Sequence, residues 1–341
     1  MTLSAPRVRE SDGAKPLDEA TFRREIAEPC RPVVLRQACT GWPVLEAAER
    51  STESLAAYLR GRDSGCQAEA FRGAAAIAGR YHYGDNLEGF NFEREMLGLD
   101  EALARIAACA ADPERGTLYM GSLATGRHLP GFAAENRLGF LPPDVEPRLW
   151  IGNASHVSCH YDTFDNLACV VAGRRRFTLY PPDAVGDLYV GPIDHTMAGP
   201  PVSLAAGSPP GDPRYPRFES ARDRALTVEL EPGDALYLPK LWWHQVEATE
   251  PFNLLVNFWW DAFRAGPDAP NSAMLLAMIA IAERPEEERA AWRAFFDHYV
   301  FRPRGHPLAH LPEDKHGILG PLGGGNYGRI RAMVMQMLRG G

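Results

Sequence analysis

Hydrophobic and polar positions follow different periods in different parts of the chain. In residues 1–115, amphipathic spacing and a short apolar run predict three helices and one buried strand: Leu17 to Ala27, Ser51 to Leu59, Asp100 to Ala110, and Pro32 to Arg36. Ser51 has the side chain of a typical N-cap. In the third helix, Leu103, Ile106 and Ala107 are expected to share the buried face.

From Arg148 to Trp260 the pattern changes to short β-branched and aromatic runs separated by Gly and Pro. Six strands are predicted here: Leu149 to Ile151, Asn166 to Val171, Arg175 to Tyr180, Leu226 to Leu230, Ala235 to Leu238, and Asn253 to Trp259. So many short strands in one stretch favour a barrel or sandwich. The stretch from Pro200 to Pro216 is expected to be a long loop, and such loops often cover a site.

After Asp261 the spacing becomes helical again. Helices are predicted at Ser272 to Glu283, at Glu286 to Val300 with Pro285 at its first position, and at Tyr327 to Leu338. Two interpretations of these apolar stripes stay open: they pack on the chain's own barrel, or they pack on a second copy. We therefore expect a mainly β fold with N-terminal α/β elements (1–115), a barrel core (116–262) and a C-terminal helical region (263–341).

Composition narrows the class of protein. Apolar residues make up 45% and charged residues 23%, which is enough for a sizeable core and excludes disorder of the whole chain. The 44 acidic and 36 basic side chains give a net charge of −8, so a nucleic-acid partner is not expected. The longest apolar run, Ala273 to Ala282, is too short to span a membrane. Met1 to Pro16 carries no apolar signal segment, so a cytoplasmic location is expected.

Three residues form a candidate metal site. His160 and Asp162 are two positions apart, so on an extended segment their side chains share a face. His244 ends the segment Gly233 to His244, which matches the second cupin motif, G-x5-P-x4-H. Two imidazoles and one carboxylate are the facial triad of non-haem Fe(II) oxygenases. Alone, His244 could be a core histidine, but the two motifs together favour a ligand.

The other histidines are weaker candidates for the metal site. His156 shares strand parity with His160, so we expect it near the site but not as a fourth ligand, which would close a position that the chemistry needs. His195 could line the entrance. The six cysteines form no CxxC pair, so a zinc–thiolate site is not expected.

At this point the sequence resembles a known family. The segments that carry the resemblance are Trp150 to Asn153, His160 to Asp162 with Asn166, Gly173 to Pro182, Pro232 to His244, and Val256 to Trp260. They resemble the cupin-like JmjC hydroxylases, in the group of the asparaginyl hydroxylase that inhibits hypoxia-inducible factor. The resemblance implies a double-stranded β-helix, Fe(II) held by the three candidate ligands, 2-oxoglutarate as co-substrate, and O2.

The resemblance also implies four residues that contact the co-substrate or lie near it. Arg175 stands where the family has a lysine that pairs with the distal carboxylate of 2-oxoglutarate. Asn166 and Asn257 match asparagines near the metal, and Tyr119 resembles a tyrosine that hydrogen-bonds the co-substrate. Val157 stands where the family often has a threonine that contacts the carboxylate, which puts more weight on Tyr119 and Arg175.

Strand parity supports the role of Arg175 independently. On a strand from Arg175 to Tyr180, Arg175 points to the same side as Phe177 and Leu179, the expected inward face. A buried cation needs an anion, and a guanidinium can bind a carboxylate with two parallel hydrogen bonds. The other interpretation places Arg175 in solvent beside its two arginine neighbours.

The function expected from these features is hydroxylation of a side chain, that of a protein or peptide, with Fe(II) and 2-oxoglutarate. Two alternatives stay open: a cupin metalloenzyme that acts on a small molecule without 2-oxoglutarate, and a non-catalytic dimeric binding protein. A homodimer is expected through the C-terminal helices, whose apolar surface consists of Leu275, Met278, Ile279, Trp292, Phe295, Phe296 and Tyr299.

Overall fold

The computed structural model of the protein describes residues 8–15, 17–197, 199–264, 266–323 and 325–339. Residues 1–7 and 16, which belong to the segment searched for a secretion signal, lie outside the described residues. The chain divides into two compact units, Met1–Ala262 and Phe263–Gly341.

The first unit is built mainly from β-strands. Within the described residues there are fourteen: β1 Arg9–Asp12, β2 Val33–Arg36, β3 Ala68–Gly73, β4 Arg80–Tyr81, β5 Glu93–Leu97, β6 Thr117–Ala124, β7 Pro147–Gly152, β8 Ser155–His160, β9 Asp165–Ala172, β10 Arg175–Tyr180, β11 Leu226–Leu230, β12 Ala235–Leu238, β13 Trp243–Ala248 and β14 Asn253–Trp260. One sheet has nine strands in the order β1-β2-β12-β9-β14-β7-β6-β3-β5, and the other has five in the order β11-β10-β13-β8-β4. The mainly β fold expected from the sequence is confirmed.

Helices occur in both units. Those of the first unit are α1 Glu19–Phe22, α2 Pro43–Arg50, α3 Thr52–Arg60, α4 Leu99–Ala111, α5 Thr125–His128, α6 Phe132–Glu135 and α7 Phe218–Asp223, and those of the second are α8 Pro270–Ile281, α9 Glu286–Phe296 and α10 Asn326–Arg339. A π-helical turn, Arg23–Ala27, continues α1, and another, Asp297–Phe301, continues α9. The expected C-terminal helical region is present.

The central strands of the nine-stranded sheet are buried on both faces, which explains their continuous apolar sequences. In β12, Ala235 and Tyr237 join the core on the helix side of the sheet, whereas Leu236 and Leu238 join a second core with the five-stranded sheet. In β9 the same alternation places Ala168 and Val170 in this second core. Side chains of that inner face therefore point toward the five-stranded sheet, where the candidate site lies.

Strand β10 belongs to the five-stranded sheet and shows the alternation that the sequence predicted. Arg175, Phe177 and Leu179 are buried, while Arg176 is exposed. Phe177 and Leu179 pack in the core between the sheets. The inward orientation of Arg175 is therefore confirmed, and its placement in solvent is wrong.

Three details differ from the sequence-based expectations. Strands β3, β5 and β6 were not predicted, although they extend the large sheet. In α4 the buried alanine is Ala102, whereas Ala107 is exposed, because the buried face follows positions 99, 102, 103 and 106. Pro285 is the N-cap of α9 and not its first helical residue.

The loop expected at Pro200 to Pro216 is partly buried. Val202 forms an isolated bridge with His160, and Ser203 forms one with Val190. Val202, Ser203 and Ala205 are all at most 2% exposed. The start of this loop therefore lies directly against the end of β8. In the described part of the chain, no helix is both long and apolar enough to cross a membrane.

Candidate metal centre

The candidate ligands meet where two neighbouring strands of the small sheet pair. His160 is the last residue of β8 and His244 the second of β13, and the two are register partners. Asp162 follows β8 by two residues, and its carbonyl accepts a hydrogen bond from the Leu241 amide at 2.8 Å. The ligand atoms of the three side chains lie within 4.8 Å of one another, a spacing that can hold one metal ion.

Backbone carbonyls orient both imidazoles. His160 Nδ1 lies 2.8 Å from the Ser158 carbonyl, and His244 Nδ1 lies 3.0 Å from the Trp242 carbonyl. Because a carbonyl only accepts, Nδ1 carries the hydrogen in each ring and Nε2 keeps its lone pair. Burial, with the neighbouring His160, lowers the pKa of His244 to about 4, so this ring is neutral at neutral pH. Both rings are thus prepared as metal ligands.

One cavity of about 500 Å³ brings together all seven candidate site residues. Its lining includes His160, Asp162, His244, Arg175, Tyr119, Asn166 and Asn257. The residues come from six strands and one loop, and the sequence could not show that these elements meet in space. Val157, the residue at the family's threonine position, also lines the cavity.

Arg175 is the most informative polar group in this cavity. Its side chain is buried, and within the described residues neither Nε nor Nη2 has a hydrogen-bond partner. Burial lowers the pKa of the Arg175 guanidinium from its usual value, while the nearby Tyr119 opposes that change. Burial also raises the pKa of Tyr119 to about 12, so its hydroxyl stays protonated and can donate. Two unpartnered donors of one guanidinium match the geometry of a carboxylate.

A chain of side-chain hydrogen bonds orients the two asparagines. Trp150 Nε1 donates to Asn257 Oδ1 at 2.8 Å, and Asn257 Nδ2 donates to Asn166 Oδ1 at 3.3 Å. An indole N–H is only a donor, so the orientation of both amides is determined. The Nδ2 group of Asn166 is the end of the chain that remains to donate into the cavity.

Two other residues, His156 and His195, do not have the positions that the sequence suggested. His156 is absent from the cavity wall and pairs with Glu247 (3.0 Å) and Gln245 (2.9 Å). A register shift between the pairs of His244 and Val246 places an extra residue in β8, so the parity argument for His156 is wrong. His195 stacks on Phe90 with 5.2 Å between the ring centroids, and it does not line the cavity at the candidate metal ligands.

Aromatic residues at the site were missed by the sequence analysis. Trp150 and Trp259 line the cavity, and Trp150 stacks on Tyr119 with 5.9 Å between ring centroids. In β7 the neighbours Leu149 and Ile151 belong to the helix-side core, so alternation could have identified Trp150 as facing the other way. In β14 the same alternation places Val256 and Phe258 in the helix-side core, so it could have identified Trp259 as sharing the inward face of Asn257.

Comparison with known proteins shows the family. The model of the family described as "Cupin-like domain" matches residues 19–266. The chain belongs to this cupin-like family. The match covers the strands of both sheets except β1, and all seven candidate site residues.

Two of the similar curated proteins carry JmjC-type names, and a third is named for its association with HSPB1. The cupin-like chain is 28% identical over 282 residues to human "Bifunctional peptidase and (3S)-lysyl hydroxylase JMJD7", covering 72% of this chain and 82% of that protein. It is 33% identical over 150 residues to bovine "HSPB1-associated protein 1" (42% and 30%) and 37% identical over 114 residues to "Lysine-specific demethylase JMJ31" of Arabidopsis thaliana (33% and 20%). The chain thus spans less than a third of the length of HSPB1-associated protein 1.

Proposed function

We propose that this protein is an Fe(II)- and 2-oxoglutarate-dependent oxygenase that hydroxylates a side chain of a protein or peptide. One observation carries the proposal: a two-histidine, one-carboxylate cluster and a buried guanidinium with two unpartnered nitrogens line the same cavity. The cluster suits the metal, and the guanidinium suits the far carboxylate of a dicarboxylate that reaches the metal with its other end.

His160, Asp162 and His244 would hold the iron. Three ligands on one side of an octahedral ion leave three positions for the co-substrate and O2. Iron bound there with 2-oxoglutarate would supply the oxidising power for C–H hydroxylation. The protein's own contribution is to orient both imidazoles through their Nδ1 hydrogen bonds, so that each Nε2 is available to the metal.

The remaining candidate residues would bind 2-oxoglutarate. Arg175 offers Nε–H and Nη2–H to the distal carboxylate, and Tyr119 offers a protonated hydroxyl beside it. Asn166 would donate from Nδ2, because its Oδ1 is already bonded to Asn257. Arginine replaces the lysine of the family that the sequence resembles, and a guanidinium serves this purpose with two parallel hydrogen bonds.

Two further points support an amino-acid side chain as the substrate. The sequence resembles the asparaginyl-hydroxylase group, and two similar proteins are named as a lysyl hydroxylase and a lysine-specific demethylase. The net charge of −8 does not favour nucleic acid. We keep a cytoplasmic location as part of the proposal.

The test is the affinity for 2-oxoglutarate of protein loaded with Mn(II), which needs no turnover. We expect Arg175→Met to raise the dissociation constant roughly ten- to a hundredfold, since a charge-assisted hydrogen bond contributes about 1.5–3 kcal/mol. Arg176→Met is the matched control, because Arg176 is the exposed neighbour that pairs with Glu229 and Glu247.

Two results would contradict the proposal. If the wild-type protein binds metal but not 2-oxoglutarate, the cupin metalloenzyme without this co-substrate becomes the better interpretation. If both arginine variants bind 2-oxoglutarate like the wild type, Arg175 does not serve the distal carboxylate. Lys240 does not offer a ready substitute, because it pairs with Asp165 (3.2 Å) and Asp261 and does not line the cavity.

A further inference from the structure

A second cavity adjoins the first at the candidate metal ligands. It encloses about 690 Å³ and shares His160, Asp162, Tyr119 and Val157 with the first cavity. The two cavities also share Trp150 and Trp259, and the rest of the second wall is mostly aromatic or apolar: Phe71, Tyr81, Phe92, Met197, Pro200 and Val202, with Ser158. Two candidate metal ligands, His160 and Asp162, line this cavity, whereas Arg175 lines only the first.

Two hydroxyl groups of this wall are already used within the protein. The Tyr81 hydroxyl bonds to Thr117 Oγ1 at 2.8 Å and lies 3.2 Å from the Phe71 carbonyl. Ser158 Oγ donates to the Tyr81 carbonyl at 2.6 Å. Among the described lining residues the only carboxylate is Asp162, a candidate metal ligand. No acidic group of the wall is therefore left to pair with a cationic substrate.

Two arginines stack on rings that form this wall. The Arg94 guanidinium lies 5.6 Å from the centroid of the Phe71 ring, and the Arg148 guanidinium lies 5.8 Å from that of Trp259. Neither arginine lines the cavity; Arg94 lies 3.9 Å from Glu69, and Arg148 donates to the Ser122 carbonyl and hydroxyl. These positive charges make the two rings poorer partners for a second cation.

One donor of the wall lacks a partner. Trp259 Nε1 is buried, and within the described residues nothing accepts its hydrogen. An indole N–H can only donate, so leaving it unpaired costs free energy. An occupant with a single acceptor, such as a hydroxyl or amide oxygen, would satisfy it without bringing a charge.

From these observations we infer that the side chain presented to the metal is uncharged and largely apolar or aromatic, and not a lysine or arginine. The statement that this group is a substrate rests on the proposed function. Its chemical class is inferred only from the residues that line the aromatic cavity. An ammonium group would lose its hydration in this cavity. Two of the rings that it would meet, Phe71 and Trp259, already stack against arginines.

The competing idea is an aromatic cage for a cation. Such cages bind ammonium groups over ring faces, and Trp is the strongest ring for that purpose. The two possibilities predict opposite preferences between two probes of similar shape. A cage for cations would prefer benzylammonium, whereas the inference above predicts a preference for the uncharged benzyl alcohol. Benzyl alcohol also brings one hydroxyl oxygen that can accept from Trp259.

The experiment measures the dissociation constants of both probes by ligand-observed NMR on the full chain. It uses wild-type protein loaded with Zn(II) and, in parallel, metal-free Asp162→Asn protein, in which no carboxylate of the wall attracts the ammonium probe. We expect benzyl alcohol to bind at least about tenfold more tightly than benzylammonium in both samples. Because the second sample needs no metal, a failure of the proposed metal site does not prevent the measurement.

A carboxylate introduced into the wall should reverse the preference. Met197→Glu should shift the ratio of the two constants at least about tenfold toward benzylammonium. Met96→Glu is the matched control, since Met96 is 55% exposed on β5 and does not line the cavity, and it should leave the ratio unchanged. Thermal unfolding checks that both variants fold, and if Met197→Glu does not, the two samples with Met197 intact decide alone.

Tighter or equal binding of benzylammonium in the metal-free Asp162→Asn sample would overturn the inference, as would failure of benzyl alcohol to bind. Neither result bears on 2-oxoglutarate, whose binding is measured separately with Mn(II). The substrate preference and the proposed activity can therefore fail independently.

Discussion

At the scale of single residues, backbone carbonyls and not further side chains orient the two candidate imidazole ligands. Each candidate imidazole donates Nδ1–H to the carbonyl two residues before it, so its tautomer is set by its own strand. The low pKa of His244, about 4, follows from burial and from His160 beside it. Metal binding therefore requires no proton to leave His244 near neutral pH.

The first prediction at this scale concerns the metal. His160→Ala and His244→Ala should weaken Fe(II) or Mn(II) binding by more than about a hundredfold, because loss of an outer-shell partner alone typically costs ten- to a hundredfold. The fold should remain, since the apolar strands form their core without the metal. Metal content after dialysis and the circular dichroism spectrum check both statements.

His156→Ala is the matched control for the metal prediction. It lies on the same strand, four residues from His160, but pairs with Glu247. We expect it to bind metal like the wild type. Loss of metal from this variant, or retention in either ligand variant, would show that the three-residue assignment is wrong.

At the scale of elements, a bulge in β8 determines which of its side chains line the cavity. Between the register pairs His244–His160 and Val246–Val157, β8 advances by three residues while β13 advances by two. This bulge lets both Val157 and His160 line the cavity, although they differ in parity. A regular strand would have turned one of them away.

The turn between β9 and β10 gives the second prediction. Gly173 has φ +71°, and a Cβ added there would lie 2.7 Å from the Phe252 carbonyl and would also overlap Asn253 Oδ1. We expect Gly173→Ala to lower the free energy of unfolding by roughly 2–4 kcal/mol, from backbone strain and overpacking. Because Arg175 follows by two residues, affinity for 2-oxoglutarate should fall as well.

Gly186→Ala is the control for the turn. Nothing lies within 4 Å of the Cβ added there, and its backbone is outside the left-handed region. Urea unfolding at 25 °C should show little change for this variant. Equal effects of the two substitutions would mean that the turn carries no special strain.

At the scale of the whole molecule, the second unit has an unusual distribution of apolar groups. None of the helices α8, α9 and α10 has a buried residue among those described. Apolar side chains on α8 and α9 are largely exposed, among them Ile279 (83%) and Phe295 (58%). Hydrophobic surface of this extent usually marks an interface. We therefore propose, as the sequence suggested, that these helices pair with a second copy in a homodimer.

The third prediction follows from this proposal. Ile279→Asp should convert a dimer into a monomer, because burying an unpaired carboxylate in an apolar interface is costly. Ile279 is a better test than Phe296, which is less exposed than its neighbours. Light scattering should give twice the 37.6 kDa chain mass for the wild type and the chain mass for the variant.

Ile193→Asp is the matched control for the dimer, since Ile193 is 49% exposed in the first unit. It should keep the wild-type mass. A wild-type mass equal to that of one chain at micromolar concentration would contradict the homodimer.

Local signals in the sequence were sufficient for many elements. Ser51 caps α3 as predicted, and its hydroxyl accepts from the Ser54 amide. Strands β10, β11 and β12 have the predicted bounds because alternation or short apolar runs with flanking turn residues are local properties. Strands β3 and β5 were missed because charged side chains such as Glu69 and Arg94 pair across them and leave little apolar alternation. Strand β6 contains the apolar run Leu118 to Met120, so a local signal for it was present and was not used.

What the sequence determined by itself is the set of chemical groups and their local spacing: the His160–Asp162 pair, the segment that ends in His244, and the inward parity of Arg175. Only the tertiary structure decided which groups meet. It excluded His156 through a bulge, joined Asn166 to Trp150 through Asn257, and brought Phe71 and Phe92 beside the candidate metal ligands from segments far earlier in the chain. The physical reason is that parity and period act within one strand, whereas register, bulges and sheet packing depend on partners distant in sequence.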